Sequence, residues 1–169
     1  MAFFQILAAM PLYLVNYFHM PESSYGLLIS INTVLIILIE VPINAAMSRW
    51  PHRWTLAIGS LLTGAGIGGI ALATGFPGVA LTVVVWTFGE ILFAPASATL
   101  ATELAPAGRR GEYMGLYSMT FSLAHGIGPW IGAVALESFG PSALWSATFL
   151  LGCLSAVMVW RVRSDSTVA

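Results

Sequence analysis

The chain has 169 residues, of which 58% are hydrophobic and only 8% are charged, and its mean hydropathy is +0.87. A soluble domain carries about 25% charged residues, so this composition excludes a water-soluble monomer. Six arginines, no lysine and seven acidic residues leave a net charge of −1, which disfavours nucleic-acid binding. The single Cys153 excludes a disulfide framework and a cysteine zinc site. An integral membrane protein remains.

Membrane-spanning helices are therefore the predicted elements, because about 20 apolar residues cross the hydrocarbon core. The spans are predicted at residues 2–20, 24–48, 54–74, 79–104, 112–136 and 142–160. The turn signal Gly75-Phe76-Pro77-Gly78 divides an uncharged stretch, 54–89, that is too long for one helix. Segments of this length without period-two alternation favour an all-α membrane bundle of six helices over a β-barrel.

The arginines predict the orientation, because loops on the cytoplasmic side are enriched in positive charge. They occupy the loops after the second and fourth spans and the end of the chain: Arg49, Arg53, Arg109, Arg110, Arg161 and Arg163. We therefore expect both termini in the cytoplasm and the chain in the plasma (inner) membrane. Trp50, Trp54 and Trp160 are expected at the cytoplasmic interface, and Trp145 near the outer one.

The first span begins almost at Met1, with no basic segment before it. It lacks the charged start of a cleavable signal peptide. Two interpretations stay open at this point: a short natural N-terminus, or a chain that is part of something longer.

Strongly polar side chains mark only four of the six predicted helices, the first, second, fourth and fifth. They are Gln5, Asn16, His19, Asn32, Glu40, Asn44, Glu90 and His125. The same four helices contain internal prolines, whereas the third and sixth have only Ser, Thr and Cys as polar residues. Because polar groups in lipid are costly, four helices are interpreted as an inner set and two as an outer scaffold.

The polar residues recur at helical spacing within each inner helix. Asn32, Glu40 and Asn44 are separated by multiples of four, and Gln5 and Asn16 by about three turns, with Tyr13 and Tyr17 beside Asn16. The stripe of the fifth helix is Ser118, Ser122, His125, Pro129 and Gly132. Such stripes suit a water-filled cavity, and hydrogen bonding between helices is the alternative for each single residue.

Glu40 and Glu90 are the acidic residues predicted deepest in the spans. A carboxylate in a low-dielectric environment favours its neutral form, so either could carry a proton in a coupled transport step. The alternative is a cytoplasmic charge lock, in which they pair with Arg49, Arg53, Arg109 or Arg110. His125 is a further candidate for proton relay or ligand contact.

Other chemistry finds little support in the sequence. Without lysine there is no Walker motif, and the three histidines lack the spacing of metal ligands, so no metal or cofactor is expected. No motif marks an enzyme. Ser60, Gly64 and Gly68 follow each other at four-residue steps in the third span, which indicates close packing against another helix or a dimer interface.

Two longer runs of sequence resemble drug-efflux transporters of the major facilitator superfamily. The run from Trp86 to Pro95 is WTFGEILFAP and resembles that family's tenth helix. The run GIGPWIG, residues 126–132, resembles the eleventh helix, and Glu40-Val41-Pro42 followed by Arg49 and Arg53 resembles the end of the eighth and its loop. The resemblance covers essentially the whole chain.

This resemblance implies a single six-helix bundle over residues 1–169, equivalent to helices 7–12 of a twelve-helix transporter. It also implies two inverted three-helix repeats and rocking against a second half. The sequence departs from the family at two motifs. Ser48 replaces the acidic residue of the family's loop after the second helix, and the antiporter motif is only partly matched around the helix-bend motif Gly128, Pro129 and Gly132.

The leading functional hypothesis is one half of a proton-coupled exporter of a small molecule. Its substrate cavity would include Gln5, Tyr13, Asn16, Asn32 and His125. Glu40 and Glu90 would act in proton coupling or gating. A second half would be supplied in trans or by a homodimer. The alternative is a membrane partner or truncated remnant that does not transport.

Overall fold

The fold is all-helical over residues 2–161, the part of the chain that this computed structural model describes, and no strand occurs there. A 3₁₀ helix at Phe3–Leu7 comes first, and a second one at Gly69–Leu72 extends α3. The α-helices are α1 (Ala9–Asn16), α2 (Ser23–Met47), α3 (His52–Gly68), α4 (Gly75–Glu103) and α5 (Arg110–Arg161). The predicted all-α class is confirmed for this part. Arg163 lies outside the described residues.

Four helices in residues 2–161 are long and apolar enough to cross a membrane: Ser23–Met47, His52–Leu72, Gly75–Glu103 and Arg110–Arg161. The last has 52 residues and is interrupted at Gly140, whose φ of 79° and ψ of 172° are not helical. This residue divides α5 into a first arm, residues 110–139, and a second arm, residues 141–161. The two arms correspond to the fifth and sixth predicted spans.

The first predicted span is not one continuous helix. The 3₁₀ helix ends at Ala8, where φ is −130°, and α1 has only eight residues. Pro11 lies in the first turn of α1, where its missing amide hydrogen breaks no helical bond. The change of helix type alters the register between Gln5, which is buried, and Asn16, which is exposed.

The break between α3 and α4 lies slightly before the predicted turn. Ala73 and Thr74 are extended, and Gly75, with φ of 65°, is already the first residue of α4. Pro77 is tolerated in the first helical turn because its amide would have no partner there. Residues 75–78 thus begin a helix, and the prediction that they form the turn itself is wrong.

The glycines of α3 allow it to lie close to two neighbours. A Cβ at Gly59 would lie 3.0 Å from the carbonyl oxygen of Gly89 in α4, and one at Gly64 would lie 2.8 Å from Cα of Gly152 in the second arm. A Cβ at Gly66 would overlap the backbone of Trp86. The packing interpretation of the small-residue spacing in α3 is therefore confirmed.

The buried core joins the N-terminal segment, residues 2–16, to α3, α4 and the second arm. Trp86, Trp145, Met10 and Ile67 are among its fully or almost fully buried side chains. The Trp145 ring is buried and packs against Tyr13 with ring centroids 5.4 Å apart, and its placement near the outer membrane interface stays a prediction. Trp54 and Trp160 are exposed and stack edge to face at 4.2 Å.

Candidate functional site

A hydrogen-bonded polar cluster joins α2 to α4. The amide nitrogen Nδ2 of Asn32 donates to Oγ1 of Thr87 at 3.0 Å and to Oε2 of Glu90 at 3.1 Å. Asn32 and Thr87 are buried, and Glu90 is half-buried. Both donor hydrogens of the Asn32 amide are thereby used, which stabilises a polar group away from water.

The positions of these residues follow from helix geometry. Thr87 and Glu90 are three residues apart on α4 and therefore face the same neighbour. The Thr87 hydroxyl donates to the carbonyl of Val83 at 2.7 Å, which leaves its oxygen free to accept from Asn32. Thr87 thus orients the amide that holds Glu90. Its position one turn before Glu90 is the signal by which Thr87 could have been identified in the sequence.

A cavity of about 590 Å³ adjoins the same carboxylate. Its walls come from the N-terminal segment, α3, α4 and both arms of α5. The lining residues are Ala2, Phe3, Phe4, Ser60, Thr63, Gly64, Glu90, Phe93, Ala94, Thr120, Phe121, Leu123, Ala124, Leu151, Gly152 and Ser155. Glu90 is the one charged side chain among these described residues, so the cavity is apolar with a single acidic group.

Glu40 is the second acidic residue of this region. It lies on α2, eight residues after Asn32, and is half-buried. It is near enough to interact electrostatically with Glu90. Two like charges repel each other, so Glu40 adds a negative potential at the Glu90 carboxylate.

Neither carboxylate forms an ion pair with an arginine within residues 2–161. The ion pair found there joins Arg109 to Glu112, at 2.9 Å from Nε, and His52 forms a hydrogen bond with Glu103 at 3.1 Å. The Glu112 carboxylate raises the pKa of the exposed Arg109. Arg49, Arg53 and Arg110 are exposed, and the guanidinium of Arg53 lies 5.8 Å from the Trp160 ring.

Other predicted cavity residues lie away from this cluster. Gln5 donates from Nε2 to the carbonyl of Gly128 at 3.0 Å and packs over Gly132, which joins the N-terminal segment to the first arm. Tyr13 is buried against Trp145 and Tyr17.

Asn16 and His125 are exposed. The His125 ring contacts Phe4 at 5.1 Å. The structure thus brings together Asn32 and Glu90, with Glu40 nearby, and places Gln5, Tyr13, Asn16 and His125 elsewhere.

Sequence reasoning missed most of the cavity lining. Thr63 and Thr120 are ordinary helix residues with no distinctive spacing, and Ser60 contacts Ser155 across α3 and the second arm at 3.2 Å between hydroxyl oxygens. No group of three potential metal ligands lies together within residues 2–161. The site therefore consists of one carboxylate, its amide and hydroxyl partners, and an apolar cavity.

Long apolar helices that carry buried polar groups define a helical membrane protein. Residues 1–168 match the profile of the Major Facilitator Superfamily, so the chain belongs to this superfamily of transporters. No solved structure matches it.

Three curated relatives illustrate the similarity. The uncharacterized MFS-type transporter YttB of Bacillus subtilis (strain 168) is 29% identical over 79% of this chain and 34% of its own length. The fosmidomycin resistance protein of Escherichia coli (strain K12) is 27% identical over 91% of the chain and 37% of its own length. The Na(+), Li(+), K(+)/H(+) antiporter of Planococcus maritimus is 26% identical over 64% of the chain and 26% of its own length. The chain thus matches between about a quarter and about two fifths of the length of these three relatives.

Proposed function

We propose that the chain forms one half of a secondary transporter that exports a small molecule in exchange for protons. The observation that carries this proposal is the cluster of Asn32, Thr87 and Glu90, which holds a carboxylate between two apolar helices. Intramembrane carboxylates are costly and mark proton or substrate pathways in transporters.

Proton exchange requires a carboxylate that gains and loses a proton without leaving its site. Asn32 donates to Glu90 whether or not a proton sits on the other carboxylate oxygen, so the hydrogen bond can persist through both states. The nearby Glu40 adds an electrostatic repulsion to this site. Glu90 is therefore the proposed proton carrier, and Glu40 modulates it.

Two relatives support this direction of transport. One is named for resistance to fosmidomycin and another for exchange of Na(+), Li(+) or K(+) against protons. Because the chain matches between about a quarter and about two fifths of the length of such relatives, we propose that a second six-helix half completes the pathway, in trans or as a homodimer. The chain itself would supply six spans in two inverted repeats, in the inner membrane, with both termini cytoplasmic.

The remaining predicted residues have proposed roles that depend on this second half. Asn16 and His125 are exposed and would face the pathway between the halves, whereas Gln5 and Tyr13 are buried and would support the wall of the cavity from behind. Arg49, Arg53, Arg109 and Arg110 would form the cytoplasmic lock in another conformation. Gly128, Pro129 and Gly132 would set the bend of the first arm.

Proton exchange can be measured in everted membrane vesicles with a fluorescent dye that is quenched by an imposed proton gradient. Two preparations are compared: the chain alone, and the chain joined behind the N-terminal part of the fosmidomycin resistance protein. Sodium chloride, fosmidomycin and ethidium are the probes. We expect at least one probe to release the quenching, and Glu90→Gln to abolish that release.

The matched control is Glu103→Gln, which removes a carboxylate from the exposed end of the same helix. It should retain the release of quenching. If correctly folded protein exchanges protons in neither preparation, the transporter proposal is overturned in favour of a membrane partner or remnant. If exchange persists in Glu90→Gln, proton coupling through Glu90 is overturned.

A further inference from the structure

Two arginines and two tryptophan rings come together where α3 begins and the second arm ends. The rings of Trp54 and Trp160 pack edge to face with centroids 4.2 Å apart, and both side chains are exposed. The guanidinium of Arg53 lies 5.8 Å from the centroid of the Trp160 ring. Arg161, which is also exposed, follows Trp160 directly in the last turn of the second arm. Positive charges from two different helices therefore flank one aromatic pair.

The packing of α3 explains why Arg53 faces the second arm. Arg53 lies seven residues, about two turns, before Ser60, so both side chains share a face of α3. Ser60 contacts Ser155 of the second arm, with 3.2 Å between the hydroxyl oxygens. On this face the second arm meets Arg53 with the Trp160 ring and with no carboxylate among the described residues.

Arg53 and Arg161 have no acidic partner within residues 2–161. The neighbouring Glu103 is held by a hydrogen bond of 3.1 Å to His52, the residue before Arg53. A cation–π contact stabilises the charge of Arg53 but uses none of its five N–H groups as a hydrogen-bond donor. Those donors stay available for an anion.

Exposed apolar side chains continue this surface along both helices. Leu61 lies two turns after Trp54 on the same face of α3, and Val157 lies about one turn before Trp160. Tryptophan is typical of the boundary between the hydrocarbon core and water. Hydrocarbon surface thus adjoins the two positive charges directly, which fits an anion that carries acyl chains better than a small soluble anion.

We propose that the start of α3 and the end of the second arm together bind one anionic phospholipid. Arg53 and Arg161 bind its phosphate, because the planar fork of arginine matches phosphate oxygens. Trp54 and Trp160 lie beside its glycerol backbone, and its acyl chains follow the apolar faces of the two helices.

The proposed orientation places this site in the cytoplasmic leaflet, where basic residues between membrane helices attract anionic headgroups. The inference goes beyond the proposed function, since lipid binding requires neither proton exchange nor a second half. Its consequence is structural: a lipid held by both arginines links the start of α3 to the end of the second arm.

Native mass spectrometry of the purified full chain in detergent tests the proposal. The probes are phosphatidylglycerol and phosphatidylcholine with identical acyl chains, at equal concentration. We expect the wild type to retain phosphatidylglycerol in preference. Arg53→Gln and Arg161→Gln should each weaken that binding about fivefold. The matched control is Arg110→Gln, which removes the same charge from an exposed site at the start of the first arm and should leave binding unchanged.

Thermal unfolding in detergent distinguishes a lipid from a soluble phosphate. A ligand that binds the folded state raises the Tm, so phosphatidylglycerol should raise it for the wild type and for Arg110→Gln, and less for Arg53→Gln and Arg161→Gln. Glycerol phosphate, which lacks acyl chains, should not raise it at the same concentration. Equal retention of the two lipids by the wild type overturns the proposal. An equal loss of binding in Arg110→Gln, or an equal shift of the Tm by glycerol phosphate, overturns it as well.

Discussion

The glycines of α3 and those in the first half of the first arm, Gly111, Gly115 and Gly126, lie in opposite surroundings, although both segments are apolar helices. A Cβ at Gly66 would overlap Trp86, and one at Gly64 would lie 2.8 Å from Gly152. A Cβ at Gly115 or Gly126 would meet no other described residue within 4 Å. Small residues therefore indicate close packing only where a second helix is present.

The polar residues differ between the two regions in the same way. In α3 the buried Ser60 finds a partner in Ser155. In the first arm Ser118, Ser122 and His125 are exposed. The first arm thus carries its polar stripe on a surface that the described chain leaves uncovered, whereas α3 is enclosed. This difference can be tested by making one substitution in both regions.

The largest effect is expected for Gly66→Ala in α3. The added Cβ would overlap the Trp86 backbone, so α3 and α4 must separate, which should lower the free energy of unfolding by about 3 kcal/mol. Unfolding by SDS in mixed micelles measures the change. The control is Gly126→Ala, which should stay within about 1 kcal/mol of wild type. Equal stability of the two variants would contradict the comparison.

A smaller loss is expected for Gly140→Ala, at the junction of the two arms. No described residue lies within 4 Å of the added Cβ, so the effect comes from the backbone alone. The region at φ of 79° and ψ of 172° strongly favours glycine, and a side chain there should reduce stability by about 2 kcal/mol. The same SDS titration applies, and an unchanged midpoint would show that the arms can join in another conformation.

Asn32→Ala should have a more modest effect on stability. It removes two hydrogen bonds between α2 and α4, which together are worth about 1 kcal/mol at typical values for membrane helices. Asn44→Ala is the matched control on the same stripe, because Asn44 has no side-chain hydrogen bond among the described residues, and it should change stability less. If both variants lose the same free energy of unfolding, the hydrogen bonds of Asn32 do not stabilise the packing of α2 against α4.

The smallest effect is expected for Glu112→Gln, at the exposed start of the first arm. Glu112 raises the pKa of Arg109, so any stabilisation is complete below the ordinary pKa of arginine and lost only above it. Arg109 therefore stays charged between about pH 5 and about pH 9. Thermal unfolding of the variant and the wild type should coincide at both ends of this range. A pH-dependent difference would show that the pair has a further partner.

Much of the helical architecture was predictable from hydropathy and from turn residues. The predicted span 24–48 corresponds to Ser23–Met47, and 79–104 to Gly75–Glu103. The N-terminal segment was not predictable in the same way, since its 3₁₀ conformation depends on packing that hydropathy does not record. The burial of the Trp145 ring in the core was likewise not predictable from hydropathy.

The candidate site was predictable in part. Asn32 and Glu90 were identified because amide and carboxylate groups are rare in apolar helices. Their contact was not predictable, because the relative rotation of α2 and α4 depends on the packing of many apolar side chains. Thr87 and the cavity wall were missed for another reason: threonine, serine and phenylalanine are common in membrane helices, so type alone does not distinguish a lining residue.

Gly140 has a mechanical consequence for the molecule. A single residue joins the two arms of α5, so there is no slack chain to absorb a relative displacement of their ends. Any tilt of the first arm must be taken up as rotation about the two backbone dihedrals of Gly140 or be passed to the second arm. The second arm packs closely against α3 at Gly64 and Gly152, which holds it in place. Gly140 is therefore the point about which the first arm can change its angle to the second arm.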